Sequence, residues 1–238
     1  MGVSDRWWIS RAVICLLIIP RINGWGKDGH YVICKIAENY LTEDALAAVK
    51  ALLPDHAEGD LADVCSWPDE VRRNPHYRWS SPLHYVDTPD FRCNYQYSNN
   101  LTEALMFLSH FIGDVHQVWD NMIIESALKT FYNSDLTTMI QSIQRNITGI
   151  WSADLASWRD CTDLVSCVNK YAAESINIAC RWGYKDVESG DTLSDNYFNS
   201  RLPIVMKRIA QGGVRLAMIL NRVLGDHTQE NDSSVAPT

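Results

Sequence analysis

One segment, residues 101–117, constrains the fold more than any other, because its apolar residues recur every three or four positions. That interval is typical of an α-helix with one buried face. The apolar positions are Ala104, Leu105, Leu108, Phe111, Ile112 and Val115. We expect the polar face of so apolar a helix to line a site rather than open solvent.

The rest of the chain predicts an all-α fold in a single domain. Helical spacing recurs along most of the sequence, and no alternating strand pattern of any length appears. Residues 55–100 are an irregular, proline-rich segment of the kind that forms sites, and the polar tail 226–238 is expected to be flexible. The predicted helices cover 30–40, 43–53, 101–117, 119–132, 135–158, 163–181 and 201–225.

Residues 1–24 have the pattern of a secretory signal peptide: positive charge, then an apolar stretch too short to span a bilayer, then the small Gly24 at the predicted cut. No later segment approaches transmembrane length, so no membrane partner is expected. Cleavage would make Trp25 the first residue. Its free α-amine and carbonyl can chelate a metal, with His30 completing the site.

The chain is acidic, with a net charge of −8. Removing the leader, which carries three Arg and one Asp, takes the charge to −10. This net negative charge argues against non-specific electrostatic binding of DNA or RNA. A polyanionic substrate would need local positive charge, which bound Zn²⁺ could supply.

Cysteines and glycosylation sequons both favour the secretory route. The six cysteines outside the leader form an even set without a CxxC pair, which favours disulfides over zinc-thiolate binding. They are Cys34, Cys65, Cys93, Cys161, Cys167 and Cys180. Glycosylation sequons begin at Asn100, Asn146 and Asn231.

Candidate metal ligands lie on the helical segment and in the irregular one. His110 and Asp114 are four residues apart, which places them on one helical face where they can share a metal; by spacing alone, a surface His–Asp pair is the simpler interpretation. Asp69, His84 and Asp120 add further donors, although Asp69 and Asp120 could cap helices and His84 could be an ordinary loop histidine. Together they are typical of a site for more than one Zn²⁺.

Five stretches of the chain contain these candidate ligands and their neighbours: Trp25-Gly-Lys-Asp-Gly-His30, Cys65-Ser-Trp-Pro-Asp69, Leu83-His84-Tyr85-Val86-Asp87, Leu108-Ser-His110-Phe-Ile-Gly-Asp114-Val-His-Gln117 and Val118-Trp-Asp120. Taken together, they resemble the zinc-dependent S1/P1 nucleases, especially their plant bifunctional members. They occur in family order, with family-like spacing in the first half of the mature chain. The resemblance implies a mainly α-helical nuclease domain over residues 25–225, with a fold related to zinc phospholipase C.

The resemblance also implies a cluster of three zinc ions. Trp25 and His30 would bind the first, and Asp114 would bridge to the second. Asp120 matches a ligand of the third. The full set of matched ligands is Trp25, His30, Asp69, His84, His110, Asp114 and Asp120.

The implied activity is hydrolysis of single-stranded DNA and RNA to products with 5′-phosphate ends, by a secreted or vacuolar monomer. Asp69 would orient the attacking water, and Arg72 matches a basic residue near the phosphate. Tyr85 would stack on an unpaired base and Asp87 would bind the base edge, which explains single-strand preference without sequence specificity. The disulfides implied are Cys34–Cys65, Cys93–Cys180 and Cys161–Cys167.

The chain departs from the family at two places. Family members continue after His-Gln with a segment that carries two His ligands of the third zinc, whereas here Gln117 runs directly into Val118. A second stretch is missing between Tyr97 and Ser98. We expect two zinc ions to be retained, the third site to be damaged, and the helices on either side of Gln117–Val118 to be strained or fused into one.

Two other functions fit the same residues. One is a zinc phospholipase C-like hydrolase, against which the nucleobase-type pair Tyr85 and Asp87 argues. The other is a catalytically inactive form that binds metal or nucleic acid, which the departures from the family favour.

Overall fold

The computed structural model describes residues 25–84, 101–119, 121–187 and 191–225. Within these ranges every regular element is helical and none is a strand, which confirms the all-α prediction. The α-helices are α1 (Gly26–Glu38), α2 (Glu43–Leu52), α3 (Trp67–Val71), α4 (Leu101–Asp114), α5 (Asn121–Phe131), α6 (Leu136–Thr148), α7 (Leu155–Arg159), α8 (Leu164–Ile178) and α9 (Asp195–Leu224). A 3₁₀ segment, Pro75–His84, precedes α4, and a π-helical turn, Ala179–Gly183, follows α8.

Side-chain caps explain where several of the helices begin. The hydroxyl of Thr42 accepts a hydrogen bond from the amide of Ala45 at the start of α2. Asp135, Asp163 and Ser194 accept bonds in the same way at the starts of α6, α8 and α9. Each cap satisfies an amide that has no partner within its helix.

The helix predicted over 135–158 is two helices. α6 ends at Thr148, and Gly149 then adopts a non-helical conformation, with φ −101° and ψ −100°. α7 begins six residues later, at Leu155. The apolar spacing continues across the break because both helices turn an apolar face to the same core.

The expectation that the helices on either side of Gln117–Val118 could be fused into one is wrong. α4 ends at Asp114, and α5 begins at Asn121. Between them the amides of His116 and Gln117 bond to the carbonyls of Gly113 and Asp114, at 3.0 and 2.9 Å. The chain therefore bends in tight turns between the two helices.

The long helix α9 lies along α1 at the centre of the core. The two backbones approach closely at Gly213, where a Cβ would lie 2.5 Å from Cγ2 of Ile36 and 2.9 Å from the carbonyl oxygen of Ile33. Ile33 and Ile36 are fully buried in this contact. The packing fixes α1, and with it His30, relative to the rest of the molecule.

Two disulfides lie within the described residues. Cys34 on α1 is bonded to Cys65, which precedes α3, and Cys161 is bonded to Cys167 on α8. Cys180 is an exposed free cysteine within the described part of the chain, and its predicted partner, Cys93, lies outside the described residues.

Two further findings bear on the sequence predictions. Asn146, on α6, is half-buried, whereas the sequons at Asn100 and Asn231 lie outside the described residues. No helix in the described part of the chain is both long enough and apolar enough to cross a lipid bilayer.

Candidate metal centre

α4 carries two of the predicted ligands into the protein interior. His110 is fully buried and Asp114 nearly so. Their spacing brings Nε2 of His110 to 3.0 Å from Oδ2 of Asp114. The helix is apolar around them, so this polar pair faces neighbouring elements rather than solvent.

α1 supplies a third side chain to the same point. Nε2 of His30 lies 3.2 Å from Oδ1 of Asp114, and the His30 ring stacks on that of His110 at 3.8 Å between centroids. The approach needs a glycine on α4, since a Cβ at Gly113 would lie 2.9 Å from Nδ1 of His30. His30, His110 and Asp114 form one group with metal-binding spacing.

Trp25 immediately precedes α1 and is fully buried. Its indole Nε1 donates a hydrogen bond to the carbonyl of Gly113, at 2.8 Å. This bond ties the residue to the turn of α4 that carries Asp114. Trp25 therefore lies beside the group that contains His30.

Asp69 and His84 complete a second group around His110. Asp69 lies in the short helix α3, and His84 ends the 3₁₀ segment. Nδ1 of His84 is 2.9 Å from Nε2 of His110, 3.2 Å from Oδ2 of Asp114 and 3.5 Å from Oδ1 of Asp69. Arg72 approaches from the same helix, with Nη1 at 3.4 Å from Oδ1 of Asp69.

The orientation of His110 is set from outside the cluster. Its Nδ1 lies 2.8 Å from the carbonyl oxygen of Cys65. Because a carbonyl can only accept, Nδ1 donates this hydrogen bond, and Nε2 is the ring atom that faces the Asp114 carboxylate. A histidine whose other ring nitrogen donates to a backbone carbonyl is the usual arrangement of a metal ligand.

The cluster has further marks of a metal centre. Several of its buried polar atoms lack a hydrogen-bond partner within the described part of the chain: both ring nitrogens of His30, Nε2 of His84, Oδ1 of Asp69 and both carboxylate oxygens of Asp114. Tetrahedral Zn²⁺ with ligands at 2.0–2.1 Å holds its donor atoms about 3.3 Å apart. The separations of 3.0, 3.2 and 3.5 Å between these donors fit that geometry.

Charge in the cluster favours an ionised Asp114. Burial by itself raises the pKa of this carboxyl group, but electrostatic attraction from His110 and His30 outweighs it and holds the pKa well below the ordinary value of 3.8. A carboxylate must be deprotonated to bind a metal. Asp114 touches both groups, as a bridging ligand must.

The predicted residues that the structure brings together are Trp25, His30, Asp69, Arg72, His84, His110 and Asp114. Asp120, Tyr85 and Asp87 lie outside the described residues. His116, two residues after Asp114, is engaged away from both groups: its Nδ1 donates to the carbonyl of Ile112 at 2.7 Å, and its Nε2 lies 3.0 Å from Nη1 of Arg215.

Sequence reasoning missed the aromatic wall beside His84. The ring of Phe111 meets His84 edge-on at 5.2 Å, and Phe107 stacks on Phe111 at 5.5 Å. Tyr77 packs nearby, and a hydrogen bond to Glu103, with burial, raises the pKa of this phenol to about 12. Aromatic residues at helical spacing indicate core packing, and only the fold places these next to the cluster.

A helical chain with two His/Asp groups around a shared histidine has the donor arrangement expected of proteins with a multinuclear metal centre. The S1/P1 Nuclease family matches residues 25–100 and 115–225. The chain is 46% identical to Endonuclease 4 of Arabidopsis thaliana over 94% of this chain and 97% of that protein. It is 42% identical to Endonuclease 1 of the same plant and 25% identical to Nuclease S1 of Aspergillus oryzae, over 94% and 90% of this chain and 94% and 96% of those proteins.

This chain therefore belongs to the S1/P1 nuclease family and is a homologue of its endonucleases. The family is zinc-dependent and acts on nucleic acid, and the two groups of His and Asp side chains described above could each hold a metal ion.

The comparison also shows that the chain is internally shorter than its relatives. The alignment with Endonuclease 4 extends over 289 residues, more than the 238 of this chain. The relative therefore carries internal segments without a counterpart here.

Proposed function

We propose that this protein is a secreted zinc-dependent endonuclease that hydrolyses single-stranded DNA and RNA to products with 5′-phosphate ends. The observation that carries the proposal is His110, which is shared by two groups of His and Asp donors in a chain of the S1/P1 family. Membership of a nuclease family favours a nuclease over the phospholipase C alternative.

Zinc at this centre would lower the pKa of a water molecule towards about 7 and neutralise charge on phosphoryl oxygens. Asp69 is half-buried, and its Oδ1 accepts no hydrogen bond within the described residues, which suits a carboxylate that orients the attacking water. Arg72 lies beside it and can bind the phosphate. Tyr85 and Asp87 are proposed to stack on and bind the base.

We propose that two zinc ions are retained. His30, Asp114 and the amine and carbonyl of Trp25 would hold one, and Asp69, His84 and His110 would hold the other, with Asp114 close enough to serve both. Asp120 alone cannot hold a third ion tightly, since catalytic zinc sites usually have three protein ligands.

The proposed organisation has a signal peptide at 1–24, the nuclease domain at 25–225 and a flexible tail at 226–238. Disulfides at Cys34–Cys65 and Cys161–Cys167 support an oxidising route. We propose glycosylation at Asn100, Asn146 and Asn231, a final location outside the cell or in a vacuole, and a monomeric state.

Cleavage of a labelled oligonucleotide tests the activity. We expect the single strand to be cut in preference to the same sequence in a duplex, with 5′-phosphate ends on the products. Asp69→Asn should lower kcat at least about 100-fold because it removes a ligand charge and the group that orients water. Asp63→Asn, at an exposed position in the same region, is the control and should leave activity unchanged.

A second candidate is a form that binds zinc and nucleic acid without cleaving it. The internal segments missing relative to Endonuclease 4 favour it. About two zinc ions per chain by mass spectrometry, with single-strand binding and no cleavage, would establish this form. Cleavage abolished by Asp69→Asn would exclude it.

A further inference from the structure

The carbonyls at the end of α4 are satisfied by a network that reaches well beyond the metal centre. A helix end leaves its last carbonyls without partners, and buried ones must find them elsewhere. Here the carbonyl of Ile112 accepts from Nδ1 of His116, at 2.7 Å. The carbonyl of Val115 accepts from the hydroxyl of Ser175, at 2.6 Å, and that of His116 accepts from Nε of Arg208, at 3.2 Å.

The groups that cap α4 are themselves held by one carboxylate on α8. Glu174 accepts from both Nη atoms of Arg215, at 2.6 and 2.9 Å, and from Nη1 of Arg208, at 3.1 Å. Nη1 of Arg215 also lies 3.0 Å from Nε2 of His116, and Nη2 of Arg208 donates a hydrogen bond to the hydroxyl of Ser175. The network thus links α8, α9 and the turn after α4 into one unit.

Removing these charged side chains from water costs free energy, so stabilisation alone explains the network poorly. Arg208 and Arg215 are only 1% and 2% exposed. Desolvation lowers the pKa of Arg208 to about 10, which still leaves the guanidinium charged at neutral pH. Buried ion pairs often add little stability over apolar residues of similar size, so geometric specificity is the better explanation of their presence.

The element that they hold is the turn that carries Asp114. Asp114 is the last residue of α4 and its carboxylate lies within 3.2 Å of His30, His84 and His110. A metal site tolerates errors of only about 0.5 Å in its ligands. Small movements of this turn would therefore separate the donors of both groups at once.

We propose that Glu174, Arg208, Arg215, Ser175 and His116 form a positioning network that holds the last turn of α4 so that Asp114 can bridge the two metal groups. The proposal rests on the metal centre proposed above. None of the five residues touches the reacting groups. They act through the backbone of residues 112–116.

Zinc affinity separates positioning from general stability. The unaltered protein and each variant are expressed as the full-length chain and collected after secretion. They are then stripped of metal and titrated with zinc in the presence of a competing chelator. Glu174→Gln and Ser175→Ala should each weaken zinc binding about tenfold or more, the range that outer partners of metal ligands usually contribute. Ile143→Val on α6, away from the network, lowers stability by about 0.5–1.5 kcal/mol and should leave zinc affinity unchanged.

The outcomes discriminate between the hypotheses. Ser175→Thr keeps the hydroxyl and should restore most of the affinity that Ser175→Ala loses. If Glu174→Gln and Ser175→Ala lower the melting temperature but bind zinc as the unaltered protein does, the positioning role is wrong and the network is structural. If the unaltered protein binds no zinc, the metal centre itself is wrong, and the positioning role falls with it.

Discussion

At the scale of single residues, the metal centre depends on a glycine, Gly113, which leaves room for the His30 ring. A Cβ at Gly113 would lie 2.9 Å from Nδ1 and 3.2 Å from Cε1 of His30. Gly113→Ala should therefore displace this imidazole and weaken zinc binding about tenfold or more, the effect of disturbing a metal ligand. Isothermal titration with zinc measures the change.

The same substitution at Gly212 is the matched control for Gly113→Ala. A Cβ there would make ordinary contacts, at 3.5 Å to Ile33 and 3.6 Å to His116. Gly212→Ala should keep zinc affinity and raise stability by up to about 1 kcal/mol, since alanine is the better helix former. Equal zinc binding by both variants would show that Gly113 is not needed for the approach of His30.

Glu174 makes the stability of the fold sensitive to acid. Burial raises the pKa of this carboxyl group, but hydrogen bonds and charge from Arg215 and Arg208 outweigh it and lower the pKa below 4.5. Because the folded pKa lies below the unfolded one, the stabilisation is present above about pH 4.5 and is lost as the pH falls through the folded value. Urea unfolding between pH 3 and 6 should show this loss.

Glu174→Gln removes that titration, so its free energy of unfolding should fall less steeply over the same acid range. Ile143→Val should lower the whole curve and keep its slope, because it changes packing alone. Parallel curves for Glu174→Gln and the unaltered protein would contradict the depressed pKa.

At the scale of elements, the Cys34–Cys65 disulfide joins the two halves of the metal centre. It links α1, which carries His30, to the residue whose carbonyl orients His110. Its loop of 31 residues predicts a stabilisation of about 3.5 kcal/mol from chain entropy. Replacing both cysteines with alanine should cost about that much and also weaken zinc binding.

The second disulfide provides the matched control. Cys161 and Cys167 are separated by only 6 residues, so their removal should cost about 2 kcal/mol. Neither cysteine belongs to the metal-binding groups, although Cys167 packs against Val115 in the turn after α4, so zinc affinity should fall much less than on removal of Cys34–Cys65. Chemical denaturation and zinc titration of both double variants make the comparison, and equal zinc affinity in the two would contradict the role of Cys65.

At the scale of the whole molecule, signal cleavage is expected to complete the metal centre. Trp25 lies against Gly113, next to the group that contains His30. An extra residue before Trp25 would convert its amine to an amide and remove a zinc donor. We expect such a protein to bind less zinc and to lose nuclease activity, as measured by mass spectrometry and oligonucleotide cleavage.

The control for this experiment is a matching extension at the carboxyl terminus, far from the cluster in sequence. It should bind about two zinc ions and keep the activity of the cleaved protein. Full activity in the amino-terminally extended protein would contradict chelation by Trp25.

Local patterns predicted the helices well and their ends less well. The segment 101–117 is helical to Asp114 because its apolar spacing reflects one buried face. The segment 135–158 has the same spacing, yet it breaks at Gly149. The turn at Gln117–Val118 was missed because the hydrogen bonds that cap α4 come from α8 and α9, which lie far away in the chain.

The sequence by itself determined the helical class, the pair of His110 and Asp114, and the family, because these follow from short-range spacing and ordered motifs. Only the tertiary structure decided that His30 and His84 meet that pair, since α1 and the 3₁₀ segment reach it through long-range packing. The same holds for the Glu174 network. From the sequence alone, charged residues on helices are expected at the surface. Only the packing of α8 and α9 against the end of α4 buries these charges and pairs them.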